Sequence, residues 1–444
     1  MHQKGSLREV IHISWPIAMA MLSFSVMDLT DTIMVGQLGI DELAAVGMST
    51  AVMFSINAFF IGFFESVKIL VAQAVGADQY KLARQAGWHG LYLAIPLGFL
   101  VVCLAFSSTH IFDLFGGPEN IQTLSSDYFV LRLWASPPWF ITLVLASYYQ
   151  GTGNTRLPMM VNIFMCVINI VVSQALIFGF GPIPAYGLAG SAYGTVISDF
   201  LGMLIILGYF IRDVGFEWRI KANLMGKLFL LGVPVGIRWL LDTGGWTFAM
   251  ILIAREGTMA LAANQIATKI MSLSLLPVYG ISEAVCILAG QSTGAQDFPA
   301  VRRSYWSAIQ ISVTLMIITG LAFLLVPMPL VSLFQKNTEV LIIASEILMM
   351  VGAYQILAAF SLVTAGTLNG TGDTRFTMVL IILSTCFVMV PTAYLFGVIF
   401  KMGVYGMWLS LIAHETVLVL GTQWRFRSSG WRHHEAVALK AHAH

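Results

Sequence analysis

The sequence predicts an all-α integral membrane protein: twelve transmembrane helices as two six-helix lobes related by a parallel internal repeat. Three observations predict it. The 444 residues are 58% hydrophobic and only 10% charged, with a mean hydropathy of +0.82, whereas a soluble protein averages about 25% charged residues. Such a chain cannot cover itself with polar groups and must be solvated by lipid. Twelve runs between polar breaks reach the ~20 apolar residues that a helix needs to cross the hydrocarbon. The two halves also match each other at a nearly constant offset.

The first span, 10–34, follows MHQKGSLREV and meets no convincing cleavage site, so it reads as a helix and not a removed signal. The others follow at 46–75, 87–112, 126–150, 157–180 and 186–211, then 226–253, 261–290, 304–333, 341–368, 376–400 and 402–423. None alternates over about 10 residues as a barrel strand would. With the N-terminus in the cytoplasm, 16 basic residues, Arg84, Arg156, Arg219, Arg302 and Arg375 among them, fall on that side. Only Arg255, Lys336 and Lys401 fall outside. The positive-inside rule thus predicts a multi-pass protein of the cell (inner) membrane with both termini cytoplasmic. The predicted organisation is a lobe at 1–211, a basic cytoplasmic linker, RDVGFEWRIKANLMGK, at 212–227, a second lobe at 228–424 and a tail at 425–444.

The repeat is read from polar matches. A slide of 218 residues lays ESVKILVAQAVGADQYKLAR (65–84) on EAVCILAGQSTGAQDFPAVR (283–302), with eight of twenty positions identical, including Glu65/Glu283, Gln73/Gln291, Gly76/Gly294 and Arg84/Arg302. The same slide pairs Pro16 with Pro234. GTGNTR (151–156) meets GTGDTR (370–375) at 219, and Asp199 meets Glu415 at 216. Six spans per repeat put both halves in the same orientation, a transporter design with its pseudo-two-fold axis along the membrane normal. Two lobes joined by a cytoplasmic linker suit alternating access.

Net charge +1 argues against a nucleic-acid partner, and membrane lipids are the expected surroundings. Cys103, Cys166, Cys286 and Cys386 stand singly in apolar runs and read as small buried hydrophobes. No metal or cofactor is expected beyond H+ or Na+ as coupling ion, and a monomer is the expected state.

Ionisable residues inside spans mark function or paired structural charges, since each carboxylate near mid-depth costs ~2.5–3.5 kcal/mol by insertion scales. Glu65 and Lys68 are three apart, and Arg238 and Asp242 four apart, so local neutralisation competes with function for both pairs. Arg132, Lys269 and Glu283 also lie in spans. Asp199 and Glu415 occupy equivalent places and fit either lobe-internal anchors or a functional role. Asp28 and Asp31 share one face of the first span with no basic residue within four positions. Two such carboxylates in low dielectric cannot both be ionised cheaply. They read as a place that takes up and releases a proton, or holds Na+ or an organic cation. The competing reading is a buried acid satisfied by Ser25 and Thr32.

Together these residues resemble the multidrug and toxic compound extrusion (MATE) family. DTIMVGQLG (31–39) resembles its first-helix element. Gln-x-x-Gly-Ala at 73–77, with its copy GQSTGA (290–295), resembles the cytoplasmic ends of the second and eighth helices. The GTGNTR and GTGDTR turns resemble those after the fourth and tenth helices, and NIVVSQALIFG (169–179) with GLAGSAYGT (187–195) the fifth-to-sixth signature. RLWASPP (132–138) is most similar to the DinF-like branch. The resemblance covers about 10–423.

The resemblance implies that Asp31 is the N-lobe coupling carboxylate, with Asn169 hydrogen-bonding near it and Thr195 beside it. Where some proton-coupled members carry a second acid, this chain has Ser173, and Asp28, one turn before Asp31, is the candidate replacement. The C-lobe cation positions fall on Asp242 and on the Tyr354-Gln355 motif, with Ala358 where an aspartate would stand. The missing carboxylate and nearby Arg238 favour H+ over Na+. The implied function is cation-coupled antiport of small, lipophilic, mostly cationic organic compounds, which makes the chain no enzyme. Its 23 Met and 29 Phe offer thioethers and aromatic faces, and Trp139, Met27, Tyr354 and Gln355 are the cleft candidates.

A flippase for a lipid-linked precursor is the alternative within the same superfamily. It would favour a cationic cavity, whereas the candidates here are led by acids. A membrane enzyme lacks its motifs: there is no phosphate-binding loop, no HExxH and no nucleophile with a base nearby. The tail HHEAVALKAHAH offers at most weak metal binding.

Overall fold

The computed structural model describes residues 4–116, 118–217, 219–335, 337–428 and 430–433. The readings on Lys336 and on the histidine-rich tail lie outside the described residues. All named elements are helical: α1 Leu7–Gly36, α2 Ile40–Gly76, α3 Tyr80–Val102, α4 Ser108–Phe115, α5 Glu119–Leu133, α6 Ser136–Gly151, α7 Arg156–Phe178 and α8 Leu188–Val214. There follow α9 Ala222–Ala254, α10 Thr258–Gly294, α11 Phe298–Leu325, α12 Pro327–Ser332, α13 Thr338–Gly370, α14 Thr374–Ser384, α15 Val390–Ala393 and α16 Gly403–Arg427. Among the described residues, eleven helical segments are long and apolar enough to cross a membrane, and α5 with α6, bent by 49°, makes a twelfth.

Proline chemistry explains where the spans break. The bend between α5 and α6 falls at Trp134-Ala135, before Pro137 and Pro138 in the first turn of α6. Prolines there lack the N–H that would continue the helix and disfavour helical geometry in the preceding residue. The ninth span was expected to run unbroken over 304–333. Instead α11 stops at Leu325, and Val326, with φ −133°, leads into Pro327 of α12. In the eleventh span the ladder widens into π-helical turns at Thr385–Met389 and Tyr394–Ile399 on either side of Pro391, a common response to a lost i→i−4 bond.

The chain forms two compact units. The N-terminal unit holds Met19–Val71 and Gln79–Gly232; the C-terminal unit holds the chain up to Ala18, Ala72–Asp78 and the chain from Val233 on. Within the N-terminal unit, glycines let helices cross at backbone contact, as small residues do in membrane bundles. A Cβ on Gly190 would lie 2.6 Å from the Leu176 backbone, and one on Gly98 2.6 Å from Pro137 Cα. The segment leaving α8 is clasped by α3. Trp88 Nε1 donates to Gly215 O (3.1 Å), Lys221 N donates to His89 Nε2 (2.8 Å), Lys221 Nζ donates to Gln85 Oε1 (3.0 Å), and Tyr92 donates to Glu217 O.

In the C-terminal unit the repeated sequence motifs meet each other. Gln73 Nε2 donates to Gly370 O at 3.0 Å, which ties the Gln-x-x-Gly-Ala motif to the start of GTGDTR. A Cβ on Gly76 would lie 1.8 Å from Gln291 O, and one on Gly294 2.0 Å from Gln73 O. Asp373 of that turn is buried and accepts from Arg425 Nε at 2.6 Å. The core beneath is dominated by α10, α13 and α16, with Val278, Val351, Ala359 and Trp408 fully enclosed.

Because neighbouring backbone cannot yield as a flexible side chain can, Gly76→Val or Gly294→Val should force α2 and α10 apart. Each is expected to destabilise the protein by about 1–3 kcal/mol or more, read as a lower thermal unfolding midpoint in detergent, while Gly47→Ala, where a Cβ meets nothing within 4 Å, should change it little.

Candidate functional site

The first-span aspartates separate in the structure. Asp31 shares the buried stripe of α1 with Met34 and Val35 and is 9% exposed, whereas Asp28 is exposed. The hydroxyls that might have satisfied them do not: Thr32 Oγ1 donates to the Asp28 backbone carbonyl (2.8 Å) and Ser25 Oγ to that of Met21 (3.3 Å). The hydroxyls thus serve the helix backbone, leaving the carboxyl groups to other partners.

Those partners come from α5, α7 and α8. Asn169 and Ser173, one turn apart on α7 and both fully buried, face the Asp31 carboxyl within hydrogen-bonding influence. Asn169 Nδ2 donates to Thr195 Oγ1 (3.2 Å), which in turn donates to Ser191 O (3.2 Å), and Ser198 Oγ donates to Thr195 O (2.9 Å). The sequence-predicted trio Asp31, Asn169 and Thr195 is therefore one assembly. Ser173 joins it because Gly194 has no side chain: a Cβ there would sit 2.1 Å from Ser173 Oγ.

The assembly has spare hydrogen-bonding capacity. Asp31 Oδ1, Asn169 Oδ1, Ser173 Oγ and Ser191 Oγ are all buried without a hydrogen bond of ordinary geometry. Buried polar atoms in native proteins are nearly always partnered, so a carboxyl oxygen left unmatched, with the Asn169 and Ser173 oxygens unmatched beside it, marks a place built for a proton or a cation. Sequence reasoning missed the surrounding charges. Arg132 of α5 acts electrostatically on Asp31, Asp28 and Asp199, with Tyr128 one turn before it. An arginine inside a span with no acid within four positions was the available signal that its partner lay on another helix.

The C-terminal unit holds a cavity of about 50 Å3 lined by Arg238, Asp242, Tyr279, Tyr354, Ser361 and Glu415 with several apolar residues, roomy enough for a few waters. Ser361 donates to Glu415. Tyr354 stands edge-on to Trp246 (6.2 Å) and Trp408 (5.9 Å), and Trp408 Nε1 donates to Asn264 Oδ1 (3.0 Å). Asp242 and Tyr354 are thus brought together as expected, but with Glu415, a residue placed in the sequence only by the repeat. Ala358 lines the same wall.

Two sequence expectations change. Gln355 was expected in a substrate cleft, yet it is wholly buried: it accepts from Ser274 Oγ (2.9 Å) and donates to Thr319 Oγ1 (3.0 Å), so its amide serves the core. The Arg238–Asp242 pair forms no close ion pair, whereas Lys68 bonds Glu65 at 3.3 Å. Trp139 packs on Phe140 (5.6 Å) and, like Met27, is partly buried. Lys269 is exposed and Glu283 half-buried.

With this geometry in place, the family model MatE matches residues 16–175 and 234–395, two copies beginning 218 residues apart. The chain belongs to the MatE family of transporters. Curated relatives include a protein of Rhizobium meliloti named "Probable multidrug resistance protein NorM", 27% identical with 94% of this chain and 92% of that one covered. The protein of that name from Thermotoga maritima is 27% identical, covering 91% and 89%. Among solved structures, a MATE in the bent conformation has a TM-score of 0.89 at 21% identity, covering 98% of both chains. A MOP superfamily transporter from Pyrococcus furiosus has 0.88 at 21%, covering 97% of both. The likeness confirms the two-lobe MATE fold.

Arg132, half-buried and acting on the buried Asp31 and Asp199, makes the three charges interdependent. Arg132→Gln should destabilise the protein by about 3–5 kcal/mol, as removal of one partner from a buried charge group does. Adding Asp199→Asn should restore part of the loss, and a thermal double-mutant cycle in detergent should return a coupling of ~0.5–3 kcal/mol.

Proposed function

We propose that this protein is a secondary active multidrug efflux transporter, a cation-coupled antiporter that exchanges H+, in preference to Na+, for lipophilic and mostly cationic organic compounds by alternating access, with Asp31 as the coupling carboxylate. The observation that carries the reading is a buried carboxyl, Asp31, with one oxygen left without a close partner and the Asn169 and Ser173 oxygens beside it likewise unmatched. A proton on the carboxyl converts an acceptor into a donor, for which Asn169 Oδ1 is a free acceptor, while the Ser173 hydroxyl can donate to the ionised form and turn to accept from the protonated one. A metal cation would find the same oxygens, but Arg132 already supplies positive charge to Asp31 and Asp199. A proton needs one lone pair; Na+ needs several ligands and a net negative cage.

The names of the NorM relatives support multidrug compounds as the substrate class. Asp28, exposed and within the field of Arg132, is read as the second acid that Ser173 fails to supply. The distribution of basic residues supports an inner-membrane location with cytoplasmic termini, and a monomer suffices, since each assembly is complete within one unit. Acids, not a cationic pocket, lead both assemblies, so the flippase alternative gains nothing.

The test is reconstitution in lipid vesicles with a pH gradient or a Na+ gradient imposed separately and a fluorescent organic cation followed. The pH gradient alone should drive uptake. Asp31→Asn should abolish it while leaving the fold intact, and Asp28→Asn should slow it and shift its pH dependence. Uptake driven by Na+ alone would overturn the coupling ion, and an unchanged Asp28→Asn profile would remove Asp28 from the mechanism.

A further inference from the structure

The cavity of the C-terminal unit contains a positive charge held close to two carboxylates without contact. Arg238 and Asp242 lie one turn apart on α9 and so share a face, and both line the cavity with Glu415 from α16. Among the described residues no close ion pair joins Arg238 to either acid. Its Nε is buried with no hydrogen-bond partner, and its guanidinium stands 6.0 Å from the centre of the Trp239 ring. Its charge nonetheless acts on Asp242, Glu415 and Tyr279. His414, bonded at 2.7 Å to Ser384, also acts on Asp242, as Asp242 does on Glu415, Tyr279 and Tyr354.

A hard cation is held by several oxygens around a net negative site. The oxygens are present: two carboxylates, the hydroxyls of Tyr354 and Tyr279, and Ser361, which already donates to Glu415. The space is present as well, at about 50 Å3. Arginine remains charged at any physiological pH, so its contribution is permanent: it halves the net charge that two ionised acids would offer and sets a like charge beside any entering cation.

We propose that Arg238 is a tethered cation that takes the electrostatic place of an alkali ion in this cavity, and that its removal uncovers a Na+ site built from Asp242, Glu415, Tyr354 and Ser361. The resident guanidinium explains how a lobe can retain two acids and an oxygen-lined cavity while declining Na+. This deepens the preference for H+ over Na+ proposed above, but it is read from binding in the C-terminal unit and not from transport.

Thermal unfolding in detergent at fixed ionic strength, with NaCl compared against KCl and choline chloride, tests it. The unaltered protein should show no Na+-specific shift. Arg238→Met should gain one, a rise in midpoint of roughly 3 °C or more when Na+ well exceeds its dissociation constant. Arg238→Lys, which keeps the charge, should remain insensitive, and Asp242→Asn added to Arg238→Met should erase the gain. A folded Arg238→Met without a Na+-specific rise overturns the proposal. So does a Na+-specific rise in the unaltered protein that Asp242→Asn removes, a result readable even where Arg238→Met does not fold. The same series in an Asp31→Asn background should be unchanged, so a failure here is distinct from a failure of Asp31 coupling.

Discussion

Hydrocarbon offers no hydrogen bonds, so each polar atom inside a membrane span must find its partner within the protein. That constraint orders most of what the structure contains. Gln73 is matched to Gly370, Asn264 to Trp408, Gln355 to Ser274 and Thr319, Glu415 to Ser361, and Lys68 to Glu65. Hydroxyls of serine and threonine return to carbonyls one turn back along their own helices, as Thr32, Ser49 and Thr367 do. Against this background of satisfied groups the unsatisfied ones carry information. Most are single hydroxyls scattered through both units, but those at Asp31, Asn169 and Ser173 fall together at one carboxyl, and in the other unit Arg238 leaves its Nε unmatched beside the cavity.

Duplication has conserved the composition of these two places without conserving their positions. Each unit assembles one arginine, two buried or cavity-lining acids and at least one tyrosine: Arg132, Asp31, Asp199 and Tyr128 in the first, where the exposed Asp28 adds a third acid at the edge, and Arg238, Asp242, Glu415, Tyr279 and Tyr354 in the second. Only Asp199 and Glu415 stand at equivalent points of the repeat. At the offset of 218, Asp31 meets Ala249 and Asp242 meets Phe24; at 219, Arg132 meets Val351. The arginine comes from α5 in one unit and α9 in the other. Different helices thus supply the charges in the two units, yet in each the acids are accompanied by one arginine, which limits the net charge left in a low-dielectric interior.

The spans and the repeat were legible because they rest on local rules. Helix length is fixed by hydrocarbon thickness, and close helix crossings demand glycine wherever they occur. Proline breaks were legible in principle: RLWASPP announced the bend at Trp134, and Pro327 the interruption that a hydropathy window smoothed over. The trio Asp31, Asn169 and Thr195 was reached through family resemblance, not spacing. What stayed hidden was tertiary. Arg132 lies about a hundred residues from Asp31 in sequence and meets it only because α1 and α5 share the Val35, Val46, Tyr128 and Ala192 core. Gln355 looked like a cleft residue because Tyr354 before it is one, but neighbours on a helix point about 100° apart, and that turn carries the amide into the core.

The packing of α7 on α8 explains the chemistry at position 173. Gly190 and Gly194, four apart, let α8 lie against the backbone of α7, and a Cβ on Gly194 would come within 2.1 Å of the Ser173 hydroxyl and 2.9 Å of its Cα. A side chain longer than serine at 173 would have to turn away from α8 or push it off. Separating the two helices would also lengthen the 3.2 Å bond from Asn169 to Thr195, which holds Asn169 toward Asp31. An acid at 173 and the close α7–α8 crossing therefore compete for the same space. The further negative charge of this unit comes instead from Asp199 on α8 and Asp28 on α1, positions where Arg132 reaches it and the glycine seam is undisturbed. The serine is the consequence of how tightly the scaffold of the site is drawn.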